Sequence, residues 1–337
     1  MMEERRLLYP MKFIGMQDEQ PWGIEAWKVA DLGFRDSKIL GGYLETDMLS
    51  DVMDTYLERM TGEDVYAYYG RQFPLSVKEL QTKALTPLVV SPEDTLAEQR
   101  YDALGKAKLW YVEAVEEGAC LYVGLRRTLS ATQFFAACLD GTIKGMLHEI
   151  HPEKGAWYFI APGTLHCAGA GLKILEIAEA SDLDIPVCDW SGIEHAGFAE
   201  ALDFVNLEAG DVPSAAALPG ERDGADGMRE KWVSLPELSV GKVELKDALR
   251  IQSEEADRFS LYCCVEGEAS VQVPVPGGME QYVLRRGEVI LIPAEVTDYF
   301  LVPRERNACL LECGVGHHET VDTYLDNAGK DYRNLPN

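Results

Sequence analysis

One strand-and-turn unit occurs twice in this chain, and it constrains the fold more than any other feature. Residues 155–166 read GAWYFIAPGTLH, with an opening glycine, an apolar run suited to a buried strand, and a Pro-Gly turn that leads to His166. Residues 287–298 read GEVILIPAEVTD, with the same length, the same opening glycine, a similar apolar run and a proline one place earlier. Two copies of one supersecondary unit predict two domains of the same kind.

Elsewhere, the apolar pattern favours strands over helices. Helical periodicity predicts helices near residues 48–60 and 130–140, whereas most other apolar runs are short and end at Gly, Pro or charged residues. Residues 108–125 and 260–275 each contain two strand-like runs around a glycine, which predicts two hairpins. The pattern indicates a mainly β protein with two closed antiparallel barrels of the jelly-roll kind and added helical segments. Small barrels have room inside for one ligand or metal.

The length of 337 residues suits two domains. We expect residues 1–205 to form the first barrel with the helical additions and the ligand pocket. Residues 206–230 are rich in Gly, Pro and Ala and are interpreted as a linker or long loop. Residues 231–337 then form a second, smaller barrel and a C-terminal tail.

Charge and cysteine content limit the classes of partner. The chain has 31 Lys and Arg against 57 Asp and Glu, a net charge of −26, which argues against nucleic acid and anionic membranes but not against a small anion in a local pocket. No apolar run reaches the roughly 18 residues that span a bilayer, and the N-terminus has no pattern of a secretory signal. The eight cysteines form no C-x-x-C pair, which is typical of reduced thiols, so we expect a cytoplasmic protein.

A few polar side chains stand out in these apolar runs. Lys78 interrupts the strand-like run FPLSVKEL, and a half-buried lysine in a barrel usually faces a ligand or a carboxylate. His148 and His151 in HEIH are an alternative metal pair, but alternation along a strand places them on opposite faces. Cys167 follows His166 directly, and the same alternation argues against a Cys/His nucleophilic pair.

Several segments resemble a known family. The chain resembles the type I mannose-6-phosphate isomerases of the cupin superfamily, in their compact bacterial form. The matching segments occur in the family's order from near residue 20 to 190, and GEVILIPA fits the family's second barrel, although the match beyond residue 230 is looser. The segments are PWGIEAW, FPLSVKEL, VVSPEDTLAE, GKAKLWYV, GAWYFIAPGTLH, GLKILEIAEASD and CDW.

The resemblance implies a zinc enzyme that interconverts an aldose phosphate and a ketose phosphate. In the family a glutamine, a histidine, a glutamate and a second histidine hold the metal, and these positions fall on Val89, Ser91, Lys108 and His166 here. Only His166 keeps the family's residue type, and the position of an arginine that assists proton transfer falls on Pro186. The resemblance therefore predicts a degenerate metal site, and we expect no zinc and no other cofactor in this chain.

The expected ligand is a sugar or a sugar phosphate. We expect it to contact Lys78, Lys108, Trp110, His166 and Glu176, because the frame around the metal positions is retained. An ammonium at residue 108 could occupy the space of the missing metal and pair with a carboxylate or with a ligand oxygen.

Three functions remain open from the sequence. The first is a carbohydrate-binding protein related to the isomerases that lacks their metal-assisted chemistry. The second is an active aldose-ketose phosphate isomerase that uses altered ligands or a cofactor-free acid/base pair, with His166 and Glu176 as the candidate catalytic residues. The third is a structural or regulatory protein with an occluded pocket. The sequence decides neither whether the chain is an enzyme nor its oligomeric state.

Overall fold

Strands make up most of the regular structure. The computed structural model describes residues 6–188, 190, 198–214, 221–223, 228–253 and 258–317, with the backbone alone for 198 and 221–223. Within these ranges the strands are β1 Lys12–Ile14, β2 Met16–Gln20, β3 Gly23–Val29, β4 Lys38–Leu40, β5 Leu75–Thr82, β6 Leu88–Val90, β7 Lys108–Val115, β8 Leu121–Leu125, β9 Leu147–Ile150, β10 Trp157–Ile160, β11 His166–Ala168, β12 Leu172–Glu179, β13 Ile185–Cys188, β14 Glu221–Asp223, β15 Arg229–Ser234, β16 Ser239–Leu245, β17 Leu249–Gln252, β18 Ser260–Glu266, β19 Glu268–Val275, β20 Gly278–Arg285, β21 Val289–Ile292, β22 Asp298–Pro303 and β23 Ala308–Gly314. The mainly β prediction is confirmed, while the number of closed barrels stays a prediction.

The helices in the same ranges are short. They are α1 Leu49–Tyr56, α2 Glu58–Thr61, α3 Glu63–Tyr69, α4 Asp94–Tyr101, α5 Ala131–Leu139 and α6 Phe198–Ala201, with a 3-10 turn at Ile143–Met146. The helix predicted near 48–60 is divided at Leu57, whose φ is 51°. The helix predicted near 130–140 begins after Ser130, which accepts a hydrogen bond from the Gln133 backbone in a capping box. None of these helices is long and apolar enough to cross a membrane.

Both copies of the repeated unit form a strand, a turn and the start of another strand. In the first copy β10 is followed by a turn at Gly163, with φ of 80°, and β11 begins at His166. In the second copy β21 is followed by β22, which begins at Asp298 at the equivalent position. The repeat therefore corresponds to one structural unit used twice.

Residue contacts divide the chain into two compact units, and neither is continuous in sequence. The central unit contains residues 16–27 and 76–214, and the terminal unit contains residues 6–15, 28–75 and 221–317. The predicted division at residue 205 differs from this, because residues 28–75 pack with the C-terminal strands. In the terminal unit the rings of Phe73 and Phe259 lie 4.8 Å apart.

Part of the segment interpreted as a linker belongs to the central unit. The backbone of Asn206 donates to the Gly163 carbonyl over 2.8 Å, and Phe159 donates to the Pro213 carbonyl over 2.9 Å. Residues 215–220 and 224–227, like the predicted tail beyond residue 317, lie outside the described residues.

The central unit is built from two sheets. Their strand orders are β10-β7-β12-β5-β3-β2 and β13-β6-β11-β8-β9. Apolar side chains of both sheets meet in one buried cluster, with Leu80 and Val112 from the first sheet and Val123 and Ala168 from the second. A second cluster includes Phe134 of α5 and forms on the other face of the second sheet. This packing gives a two-layer β architecture with a polar site inside it.

The terminal unit also contains two larger sheets. Their orders are β14-β15-β16-β23-β18-β21 and β17-β22-β19-β20, and β1 pairs with β4 in a separate two-stranded sheet. Val243 and Tyr262 of the first sheet share a buried cluster with Val271 and Leu301 of the second.

The two predicted hairpins are wrong. β7 pairs with β10 and β12, whereas β8 pairs with β9 and β11 in the other sheet of the central unit. In the terminal unit β18 pairs with β21 and β23, whereas β19 pairs with β20 and β22. In both places the chain turns at a glycine, Gly118 or Gly267, and passes from one sheet to the other.

Candidate ligand site in the central unit

The four positions that the resemblance assigns to a metal lie together. β6 pairs with β11 so that Val89 is opposite His166. Lys108, the first residue of β7, places its Nζ 3.0 Å from His166 Nε2. Ser91 follows β6, and its hydroxyl donates to Asp184 Oδ1 over 2.7 Å. The fold therefore gathers these residues from β6, β7 and β11 at one place.

A cavity of about 230 Å³ opens at this place. All five residues predicted to contact a ligand line it, namely Lys78, Lys108, Trp110, His166 and Glu176. The other lining residues are Gln20, Trp22, Glu25, Leu80, Thr86, Pro87, Val89, Cys167, Ala168 and Asp184. The five residues share one cavity, and their contact with a ligand stays a prediction.

The orientation of His166 follows from its hydrogen bonds. Its Nδ1 lies 2.8 Å from the carbonyl oxygen of Thr164, which can only accept, so Nδ1 carries the proton. The lone pair of Nε2 therefore faces the Lys108 ammonium, which donates to it. The ring also meets Trp110 edge to face, with centroids 5.4 Å apart. These contacts fix one tautomer and one orientation of a buried imidazole.

Asp184 connects two lysines. Its Oδ2 lies 2.8 Å from Lys106 Nζ, and its Oδ1 accepts hydrogen bonds from both Lys108 and Ser91. Lys106 and Lys108 are almost fully buried, so the carboxylate is needed to offset the cost of burying two ammonium groups.

Glu176 and Lys78 form the other half of the charged cluster. Glu176 accepts a hydrogen bond of 2.7 Å from Trp110 Nε1, and its second oxygen lies 3.5 Å from Lys78 Nζ. Lys78 donates to Glu25 over 2.9 Å, and its ammonium lies 4.9 Å from the ring centroid of Trp27. Lys78 therefore faces carboxylates and an aromatic ring, as expected for a lysine inside a β fold.

These neighbours shift the pKa values of the acids downward. Burial alone would raise the pKa of Glu176, but the ammonium groups of Lys78, Lys108 and Lys106 lower it to about 2. Burial opposes the shift at Asp184 too, yet Lys106 and Lys108 hold its pKa well below the usual range. Both carboxylates are therefore ionised at neutral pH.

The pKa values of the basic groups of the site shift in different directions. Burial would lower the pKa of Lys78, but Glu176 and Glu25 raise it above its ordinary value. Burial lowers the pKa of Lys108 despite the opposing attraction of Asp184. Burial, and then the charge of Lys108, lower the pKa of His166 to about 3, so the imidazole is neutral.

The contacts of the residues at the metal positions conflict with those of a zinc ligand. Zinc would need the Nε2 lone pair of His166, and the Lys108 ammonium takes that lone pair. Val89 has no ligand atom, and the hydroxyl of Ser91 donates to Asp184. Within the described ranges, no group of three or more His, Cys, Asp or Glu is arranged to hold a metal. Zinc does not fit this arrangement unless Lys108 moves away.

Other residues singled out in the sequence have different surroundings. Pro186 lies in β13 opposite Val89 and brings no charge to the site. Cys167 lines the cavity but also packs in the apolar cluster that includes Phe134, and burial raises the pKa of its thiol. His148 lies 3.1 Å from the Gly210 carbonyl, whereas His151 lies 3.4 Å from a carboxylate oxygen of Glu149.

Sequence reasoning missed three charged members of the site, Glu25, Lys106 and Asp184. Each is far from its partner along the chain, so no local spacing connects them. One signal was available: two lysines inside a β fold require buried carboxylates nearby, and SDLDIP offers two, Asp182 and Asp184.

Comparison with known proteins finds relatives at low identity and a shared fold. No family model matches the chain. It is 25% identical over 235 residues to the mannose-6-phosphate isomerase of Streptococcus mutans, a match that covers 67% of this chain and 70% of that protein. It is 22% identical over 237 residues to the mannose-6-phosphate isomerase ManA of Bacillus subtilis, covering 69% of this chain and 73% of that protein.

Solved structures share the fold at lower identity. The crystal structure of the mannose 6-phosphate isomerase from Bacillus subtilis superposes with a TM-score of 0.77 at 20% identity, covering 91% of this chain and all of that one. A mutant of the phosphomannose isomerase from Salmonella typhimurium gives a TM-score of 0.72 at 15% identity over 92% of this chain. The chain thus has the cupin-type β fold that its sequence predicts, and the relatives and solved structures that it resembles are mannose-6-phosphate isomerases.

Proposed function

We propose that this chain binds a monosaccharide or its phosphate ester in the cavity of the central unit, without a zinc ion. One observation carries the proposal: Lys108 Nζ lies 3.0 Å from His166 Nε2 and is also hydrogen-bonded to Asp184. As an ammonium that is paired with Asp184, Lys108 provides a positive charge at the position where the resemblance implies a metal. A side chain of the protein itself then takes the electrostatic place of the ion.

The carbohydrate part of the proposal rests on the family and on the cavity. The relatives are named for mannose 6-phosphate, which is a phosphorylated hexose. The cavity of about 230 Å³ is smaller than the roughly 300–1,000 Å³ typical of pockets for drug-sized ligands, and this suits a monosaccharide.

The lining groups can hold a sugar by hydrogen bonds. An ammonium has three donors, and the contacts of Lys108 with His166 and Asp184 account for two of them, which leaves one for a ligand oxygen. The carboxylates of Glu25 and Glu176 can accept hydrogen bonds from sugar hydroxyls, and such charge-assisted bonds are among the stronger ones.

An active isomerase based on His166 and Glu176 is less well supported. Moving a proton between neighbouring carbons of a sugar needs a base whose pKa lies near the working pH. The pKa of His166 is lowered to about 3 and that of Glu176 to about 2. Lys108 and Trp110 also engage the atoms that would accept the proton. This geometry favours binding over turnover.

Elemental analysis tests the metal part of the proposal. Protein purified without added metal or an affinity tag should contain far less than one zinc per chain, and added zinc should leave mannose 6-phosphate isomerisation at background. The triple variant Val89→Gln, Ser91→His and Lys108→Glu should gain bound zinc, because it frees the His166 lone pair and adds three ligands.

The double variant Val89→Gln and Ser91→His is the matched control. It keeps the Lys108 ammonium on His166, so it should bind much less zinc than the triple variant. Stoichiometric zinc in the unmodified protein, or zinc-dependent isomerisation by it, would contradict the proposal and favour an active isomerase with altered ligands.

A further inference from the structure

The charged groups of the site balance one another. Three ammonium groups, those of Lys78, Lys106 and Lys108, face three carboxylates, those of Glu25, Glu176 and Asp184. His166 adds no charge, because its hydrogen bonds fix the neutral ring that donates from Nδ1 and accepts at Nε2. With three positive and three negative groups, the cluster has a formal charge of zero.

Each lysine that lines the cavity already has a carboxylate partner. Lys78 donates to Glu25 over 2.9 Å, and Lys108 is hydrogen-bonded to Asp184. The lining residues in the described part of the chain include no arginine. Proteins usually bind phosphate with arginine, with uncompensated lysine or with the start of a helix. A phosphate dianion brought here would add two negative charges to a balanced, largely buried cluster, which is unfavourable.

The rest of the lining suits a neutral sugar. Trp22 and Trp110 contribute aromatic rings, and Leu80 and Val89 contribute aliphatic surface. The C–H face of a pyranose is slightly positive and packs well on the negative face of an aromatic ring. Gln20 and the carboxylates then provide partners for hydroxyls, so the lining combines apolar faces with a few polar groups.

We infer that the cavity takes an uncharged monosaccharide in preference to its phosphate ester. This inference rests on the carbohydrate-binding function proposed above and narrows its ligand class. Selection comes from charge. The neutral sugar leaves the cluster of three ammoniums and three carboxylates balanced, whereas the ester adds an anion, and both lysines among the described lining residues are already paired with carboxylates.

Calorimetric titration of the full chain tests the inference with four ligands: mannose, fructose and the 6-phosphate of each. We expect at least one neutral sugar to bind about tenfold or more tightly than its own ester. An ester that binds as tightly as its sugar, or more tightly, would overturn the inference and leave the proposed carbohydrate binding standing. If none of the four binds at millimolar concentration, both the inference and the proposed function fail.

A charge variant provides a second measurement. Glu25→Gln keeps a similar shape but releases Lys78 from one partner and gives the cluster a formal charge of plus one. We expect it to shift the ratio of ester to sugar affinity at least tenfold toward the ester. Glu19→Gln is the matched control, because Glu19 is exposed on β2 of the same hairpin and does not line the cavity. An unchanged ratio in a folded Glu25→Gln protein would overturn the inference.

Discussion

At the scale of single residues, the neutral imidazole of His166 makes the fold sensitive to mild acid. Burial and the nearby Lys108 ammonium lower its pKa from 6.5 to about 3. The unfolded chain binds this proton near pH 6.5, whereas the native protein does not. The contribution to stability is therefore fully present above pH 6.5 and is lost as the pH falls toward 3.

Replacing His166 with glutamine should remove this titration. Between about pH 6 and 5, the free energy of unfolding of the unmodified protein should fall more steeply than that of His166→Gln, by roughly 1 kcal/mol per pH unit. Urea unfolding at a series of pH values measures both slopes. His151→Gln is the control, since the His151 side chain is 67% exposed, and it should keep the original slope. Equal slopes for His166→Gln and the unmodified protein would show that His166 is not held neutral.

Some residues of the candidate ligand site could be found from the sequence because they interrupt a local pattern of apolar residues or follow a turn. Lys78 interrupts the alternating apolar residues of FPLSVKEL, and His166 follows a Pro-Gly turn at the start of a strand. Asp184 could not be found in this way, because its role depends on Lys106 and Lys108 from a distant strand region. Ion pairs between distant segments are set by tertiary packing, and periodicity along the chain carries no information about them.

At the scale of elements, the hairpin of β2 and β3 depends on a glycine. Gly23 has a φ of 152°, and a Cβ atom there would lie 1.9 Å from the backbone oxygen of Gln81 in β5. No side chain fits without moving one strand away from the other. This close approach brings Glu25 of β3 next to Lys78 of β5.

Gly23→Ala should therefore destabilise the protein by about 3 kcal/mol or more, because backbone strain and a backbone clash occur together. It should also weaken ligand binding by moving Glu25. Gly210→Ala is the control, since a Cβ there meets nothing within 4 Å, and its effect should stay within about 0.5 kcal/mol. Urea unfolding measures both variants. A Gly23→Ala protein as stable as the control would mean that β3 does not approach β5 so closely.

The sequence predicts elements better than their pairing. Periodicity identified α5 and most of the strands around the site. A helix buries residues that are three or four positions apart, whereas a half-buried strand buries every second residue. Periodicity failed at β7 and β8, which are neighbours in the chain but belong to different sheets. Alternation shows that a strand has a buried face, but not which partner strand lies at its edge.

At the scale of the whole molecule, the terminal unit is assembled from three separate stretches of sequence. Residues 28–75 reach partners near the C-terminus: Arg59 pairs with Glu295 over 2.7 Å, and Phe73 packs on Phe259. Residues 6–15 take part as well, since Met11 forms a bridge with Leu291. A boundary drawn along the sequence cannot represent such a unit.

A fragment of residues 1–205 should therefore fold only in part. It lacks Phe259 and Glu295, so residues 28–75 should exchange their amide hydrogens quickly and be cut by proteases, whereas residues 28–75 of the full chain should be protected. Hydrogen exchange measured on both proteins tests this. Equal protection of residues 28–75 in the fragment and in the full chain would show that this segment folds without the C-terminal strands.

Because the two units are interleaved in the sequence, their segments are completed at different times during synthesis. A ribosome adds about 5–20 residues per second, so the stretch from residue 215 to 317 takes roughly 5 to 20 seconds to make. During that interval residues 16–27 and 76–214 are complete, whereas residues 28–75 still await the strands on which they pack. Apolar side chains such as Met60 and Phe73, buried in the finished protein, are then without their partners. We expect the nascent chain to be most prone to aggregation, and most dependent on chaperones, during these seconds.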